Sequence, residues 1–162
     1  MTYSFMTIPS PVGELTLVAS LRGLSAILWE NDNPLRVIRS PLREDRTHSV
    51  LVATALQLDR YFQGSRERFD VPLDFEGTDF QKRVWAALLD IPYGKTRSYL
   101  DIARQLGDVG AVRAVGAANG KNPISIIAPC HRVVGSNGKL TGFAGGLQAK
   151  AFLLRLEQPT LL

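Results

Sequence analysis

Cys130 is the one cysteine among 162 residues, and His131 follows it directly. A thiol next to an imidazole is a pairing that can make a sulfur nucleophile, because the thiolate reacts and a base must take its proton. Adjacency alone does not join the two groups. Neighbouring side chains on an extended chain point apart, so a bent backbone or a bridging water is needed. A lone cysteine is more often a small apolar core residue, so Cys130 gains interest only from its company. Pro123 and Pro129 bracket the apolar run Ile124-Ser125-Ile126-Ile127-Ala128 and set Cys130 after a residue of restricted backbone. One cysteine and two histidines cannot close a structural zinc site, and they exclude an internal disulfide, as expected in a reducing cytosol.

The elements that must position this segment divide near Gly77. Before it, Ser4 to Ile8, Glu14 to Ser20 and Gly23 to Glu30 read as strands broken by Pro9, Pro11, Gly13 and Gly23. Asn31 to Ser49, with Pro34, Pro41 and seven charged residues, reads as an exposed connection. Leu51, Ala55, Leu58 and Phe62 form one helical stripe that Gly64 can end. Phe69, Val71, Leu73 and Phe75 alternate as in a half-buried strand. Nothing in this half has catalytic character, and it reads as scaffold.

After Gly77, Thr78 and Gln81 form a capping-box pattern for a helix running to about Asp90. Ser98 can cap a second helix whose inner face is Ile102, Ala103 and Leu106, ended by Gly107. A tight turn, Asp108 to Gly110, leads to a third helix from Ala111 to about Asn119, so the last two suggest a helix-turn-helix. The third helix is almost all Ala, Val and Gly, with Arg113 as its one long cation. Base reading in the major groove needs long polar side chains. A smooth face instead allows close backbone approach to a narrow groove. A plainly buried Ala-rich helix with Arg113 in solvent is the competing account.

Charge supports the same division. Residues 1–77 carry eight cations and ten acids, whereas residues 78–162 carry eleven cations and five acids. The basic half is the one expected to meet a polyanion, although a merely basic soluble surface would look alike. No apolar run approaches a membrane span, and Met1 to Pro11 lacks a secretory pattern, so a cytoplasmic location without membrane contact is expected.

Pro129-Cys130-His131-Arg132-Val133 resembles the active-site signature of the O6-alkylguanine-DNA alkyltransferases, also called methylated-DNA–protein-cysteine methyltransferases. The resemblance covers about residues 78–158. It includes Tyr99, the run Ala-Val-Arg-Ala-Val-Gly around Arg113, Asn122-Pro123, the loop Thr141 to Gly146, and Glu157. It implies a mixed α/β (α+β) fold: a ribonuclease H-like small sheet with helix over residues 1–76, then a mostly helical, winged helix-turn-helix-like part over 77–162. It also implies a repair reaction. The alkyl group moves from guanine O6 in double-stranded DNA to Cys130, whose proton passes through a water to His131, itself oriented by Glu157. Asn122 resembles the family's hinge. Tyr99 is implied to donate to the flipped base, and a backbone N–H near Ala144 to face O6. Arg113, beside Ala114, would fill the space left in the stack.

The same resemblance puts Arg132 and Val133 among the DNA- and substrate-contacting residues, with Phe143 walling the pocket and Gly145 permitting a close loop. Many relatives have tyrosine and serine where this chain has Phe143 and Ala144, so a more apolar, roomier pocket is expected. The reaction implies no cofactor, no metal, one turnover per molecule, and a monomer without an obligate protein partner. O4-alkylthymine and cooperative assembly on DNA stay open. Three other readings compete: a silent damage-binding protein, which Cys130 opposes; a transcription regulator, which the Ala-rich helix opposes; and a cysteine hydrolase, which has no use for the basic half.

Overall fold

The computed structural model describes residues 2–159; Met1 and residues 160–162, at the ends of the two expected units, lie outside the described residues. Strands β1 (Tyr3–Ile8), β2 (Leu15–Ala19) and β3 (Leu24–Trp29) form an antiparallel meander. A fourth strand, β4 (Leu42–Glu44), pairs parallel with β1, giving the order β3-β2-β1-β4. The 31–49 segment was expected to be connection only. All three β4 residues are exposed, so no burial pattern marks the strand. Its backbone is recruited by the open edge of β1.

Helix α1 (Ser49–Phe62) packs on the sheet, its N-terminus capped by the His48 imidazole, which accepts from the Val50 N–H at 3.2 Å. The expected strand over Phe69 to Phe75 is replaced by an irregular segment making one bridge, Leu24 to Leu73. Pro72 lacks an N–H, so a ladder cannot continue through it. Only its carbonyl is used, accepting from the Leu24 N–H at 2.8 Å. Gly23 makes this approach possible, since a Cβ there would lie 2.6 Å from the Pro72 carbonyl oxygen.

The second half begins with α2 (Asp79–Leu89), where the Thr78–Gln81 capping box forms in both directions. Next come β5 (Arg97–Ser98), α3 (Tyr99–Gln105) with a second capping box between Ser98 and Asp101, and α4 (Val112–Gly120). Gly107, at φ 78°, makes the left-handed turn after α3. The chain closes with β6 (Val133–Val134) and α5 (Leu147–Glu157). β5 and β6 pair in parallel, Arg97 opposite Val133.

Two apolar clusters hold these parts. One surrounds Trp85, whose indole N–H donates to the Ala118 carbonyl at 2.8 Å, and it includes Ile102, Val115, Cys130 and Val133. The other joins the two halves: Leu17, Leu24, Ile27, Leu58 and Tyr61 pack with Ile124, Ile126, Ile127 and Leu153. The Ile27 N–H donates to the Pro123 carbonyl at 2.9 Å, so the run before Cys130 covers the far edge of β3. Among the described residues no helix is long and apolar enough to cross a membrane.

Candidate active site

Cys130 opens a single 3-10 turn, Cys130–Arg132, that leads directly into β6. β5 leads as directly into α3 at Tyr99; because β5 and β6 run parallel, Tyr99 and the Cys130 turn flank opposite ends of a pair only two residues long, and both border the cluster around Trp85. The 3-10 turn supplies the bend that an extended chain lacks. Asn122 shapes the approach: its Nδ2 donates to the Ala128 carbonyl at 2.8 Å and its Oδ1 accepts from the Ile124 N–H at 3.1 Å. Within this clamp Ile126 sits at φ 75°. A β-branched residue in the left-handed region costs about 1–3 kcal/mol, which the surrounding packing must offset.

The acid is brought in by α5. Glu157 is the last residue of that helix, where a negative charge opposes the helix dipole. Four donors converge on it. His131 Nε2 lies 2.7 Å from Oε2, and the Arg132 guanidinium grips both oxygens, Nε to Oε1 at 2.8 Å and Nη2 to Oε2 at 3.1 Å. The Tyr61 hydroxyl, from α1, donates to Oε2 at 2.5 Å. Burial pushes the Glu157 carboxyl up, but His131 and Arg132 outweigh it and hold it at about 2. Burial likewise raises the Tyr61 phenol, helped by the Glu157 charge, so it remains a donor.

His131 is wholly buried, and burial pulls its imidazole below the ordinary value despite Glu157. The ring is therefore neutral at pH 7. An ionised carboxylate can only accept, so Nε2 carries the hydrogen and Nδ1 presents a lone pair. Nδ1 is buried and has no partner among the described residues. Cys130 is 4% exposed, and burial raises its thiol; Asn122, Arg36, Lys150 and Ser125 pull the other way. At rest the site thus holds a thiol and, at the next position of the chain, a neutral imidazole whose Nδ1 lone pair has no partner among the described residues.

The side chains of Arg132 and Val133, two residues expected to contact DNA or substrate, face inward. Arg132 is 6% exposed, bonded to Glu157 and to the Ile91 carbonyl, and lies over the Tyr93 ring; Val133 is fully buried beside Trp85. A buried guanidinium needs a paired acid, and Glu157 serves both it and His131. Tyr99 is half-buried, its hydroxyl 2.5 Å from Thr141 Oγ1. Arg113 and Ala114 lie on the exposed face of α4, while Val115 and Ala118 turn into the core. Phe143 and Ala144 are half-buried against the sheet-side cluster.

Several participants escaped sequence reasoning. Tyr61 lies one residue from the Phe62 of the expected stripe; the helix is rotated so that Leu51, Thr54, Leu58 and Tyr61 face inward. Lys150 is fully buried on α5, where its Nζ donates to the Val133 carbonyl at 2.7 Å and the Thr141 carbonyl at 3.2 Å. Arg36, paired with Asp32, donates to the Asn122 carbonyl at 2.5 Å. The Asp32–Arg36 spacing was the only visible signal; the other two have none.

A two-part α/β protein holding a buried cysteine–histidine–glutamate array behind a pair of short helices is the class this geometry defines. The family models agree: residues 79–159 match the 6-O-methylguanine DNA methyltransferase DNA-binding domain, and residues 1–75 match its ribonuclease-like domain. The chain belongs to the 6-O-methylguanine DNA methyltransferase family. It is 50% identical over 159 residues to a methylated-DNA–protein-cysteine methyltransferase of Mycobacterium tuberculosis, covering 95% of this chain and 92% of that one. A namesake from Methanosarcina barkeri is 48% identical over 154 residues, covering 95% and 96%. Among solved structures, that of Mycobacterium tuberculosis OGT in complex with DNA aligns with a TM-score of 0.87 at 49% identity, covering 98% of this chain and 94% of that one.

Proposed function

We propose that the protein repairs double-stranded DNA by moving the alkyl group of O6-alkylguanine onto Cys130, once per molecule. The reading is carried by one observation: His131 stands with Nε2 bonded to an ionised Glu157 and Nδ1 unpartnered, next to the chain's single cysteine. The relatives' identity as methylated-DNA–protein-cysteine methyltransferases and the DNA complex of the Mycobacterium tuberculosis protein support the substrate class.

The steps balance without a cofactor. The Cys130 proton passes through a water to His131 Nδ1, and Glu157 stabilises the imidazolium. The thiolate attacks the alkyl carbon in line, forming a C–S bond as the C–O6 bond breaks. The electron pair goes to the guanine, whose developing charge meets the Tyr99 hydroxyl and a backbone N–H near Ala144, and the proton held by His131 returns through water to the guanine ring. The thioether has no route back to thiol, so the protein is consumed.

The lesion must leave the stack to reach a sulfur this buried, at a cost of a few kcal/mol. Arg113, on the exposed small-residue face of α4, is suited to fill the gap, with the α3–α4 pair lying in the minor groove. Admission of the base requires the Tyr99–Thr141 bond to part. Phe143 and Ala144 make the pocket apolar and open to alkyl groups larger than methyl. In this reading residues 1–76 support residues 77–162, which carry the DNA-binding and acceptor groups, and the protein acts as a monomer.

The test is incubation with a duplex containing O6-methylguanine, followed by mass spectrometry of the Cys130 peptide. One methyl per protein at a stoichiometric end point is expected, and none with Cys130→Ala. Repeated turnover with unmodified protein would remove the proposal.

A further inference from the structure

We propose that Trp29, in the half expected to be scaffold, is a positioning residue that sets the room available to the alkyl substituent by tying the Cys130 loop to the loop at 143–146. The inference rests on the acceptor role of Cys130 and deepens it.

Trp29 is the last residue of β3 and 6% exposed, yet its side chain meets the second half of the chain on three sides. Its indole N–H donates to Ser125 Oγ at 3.1 Å, within the strained run that Asn122 clamps before Cys130. Its ring stands edge-on to Phe143, centroids 5.2 Å apart at 70°. Gly145 lies against it so closely that a Cβ there would fall 2.6 Å from Cδ2 and Cε3. One rigid side chain thus touches both walls that the proposed chemistry places around the substrate.

The contacts are specific rather than merely space-filling. A buried indole N–H needs an acceptor, and Ser125 supplies it. Gly145 is the residue type that lets a backbone lie on a ring face. Against the 143–146 loop, lined also by Trp29, Val12, Gly13 and Glu30, lies a cavity of about 250 Å³. The loop therefore has the indole on one side and free volume beside it, so the ring, rather than dense packing, decides where Phe143 and Ala144 sit. A smaller residue at 29 lets the loop recede and widens the pocket. A Cβ at 145 drives the loop away from the ring and narrows it.

The experiment compares duplexes carrying O6-methylguanine and O6-benzylguanine, reading the second-order rate of Cys130 alkylation for each. The benzyl-to-methyl ratio is independent of how much protein is folded, so a loss of stability alone leaves it unchanged. Trp29→Leu is expected to raise the ratio about fivefold, and Gly145→Ala to lower it by a similar factor. In the double variant the new Cβ has room, so the Gly145→Ala effect should vanish, a non-additivity expected of groups in contact. Should Trp29→Leu fail to fold, Trp29→Phe and Ser125→Ala replace it. Each removes one end of the same hydrogen bond, and their ratio shifts should be equal and should not add. A ratio within twofold of wild type in every folded variant, or shifts that simply multiply, overturns the inference while leaving the acceptor role standing. Wild-type protein that alkylates Cys130 with neither duplex sinks both.

Discussion

At the scale of single residues the site turns on Glu157, whose carboxylate serves a guanidinium, a neutral imidazole and a phenol at once. In the proposed reaction it orients His131 as a base, and it neutralises Arg132, which would otherwise be an unpaired buried charge. Those roles predict two separable effects of Glu157→Gln. Stability should fall by about 3–5 kcal/mol, because one partner of a buried pair is removed. Alkyl transfer should slow about 100-fold near neutral pH and recover at alkaline pH, where the thiol ionises without help. Denaturant melts and a pH–rate profile of Cys130 alkylation check them; a loss of rate equal at all pH values would argue that His131 is not the base. Arg132 also shows the limit of reading a motif residue by residue. Arg132, near the proposed acceptor in a basic half, was expected among the DNA- and substrate-contacting residues, yet its side chain completes the core.

At the scale of elements, α3 and α4 present different faces for different tasks. Ile102, Ala103, Val115 and Ala118 bury themselves around Trp85, leaving Arg113, Ala114 and Ala117 exposed on α4. A smooth outer face with one long cation suits lesion search better than sequence reading, since damage occurs in any context. Arg113→Ala should therefore slow repair of a duplex by about tenfold or more while leaving reaction with free O6-benzylguanine nearly unchanged. Equal slowing of both would remove the stack-filling role. The short parallel pair β5–β6 matters more than its size suggests, because it fixes the start of α3 opposite Val134 and so ties Tyr99 to the strand that follows the cysteine turn.

Across the whole molecule the two halves share one core, and burial of titratable groups at their junction sets the pH range of stability. His131 is held neutral, its folded value below the ordinary 6.5. The unfolded chain thus takes up a proton first as pH falls, and stability declines below about pH 6.5. Glu157, held at about 2 against an ordinary 4.5, adds a second loss between those values. Cys130 is raised above its ordinary 9.0, so the unfolded chain releases that proton first and stability declines above about pH 9. A plateau between about pH 6.5 and 9 is expected in denaturant midpoints, with each flank shifting by at most about 1.4 kcal/mol per pH unit per group. A midpoint that keeps rising from pH 6.5 down to pH 5 would contradict the buried neutral imidazole.

Local chemistry determined much of this protein before any tertiary contact was known. The three meander strands, the two capping boxes, the glycine stop at Gly107 and the proline-bracketed run before Cys130 follow from residue types within a few positions of one another. The cysteine, its histidine and the distant glutamate were legible through resemblance, as was the basic second half. Tertiary structure alone decided what distant surfaces did to one another. It recruited β4 to an open edge, turned Tyr61 rather than Phe62 inward, drew Arg132 onto Glu157, and set Trp29 between two loops nearly 100 and more residues away. Such choices depend on which buried polar group finds a partner across the core, and a one-dimensional pattern carries no record of that pairing.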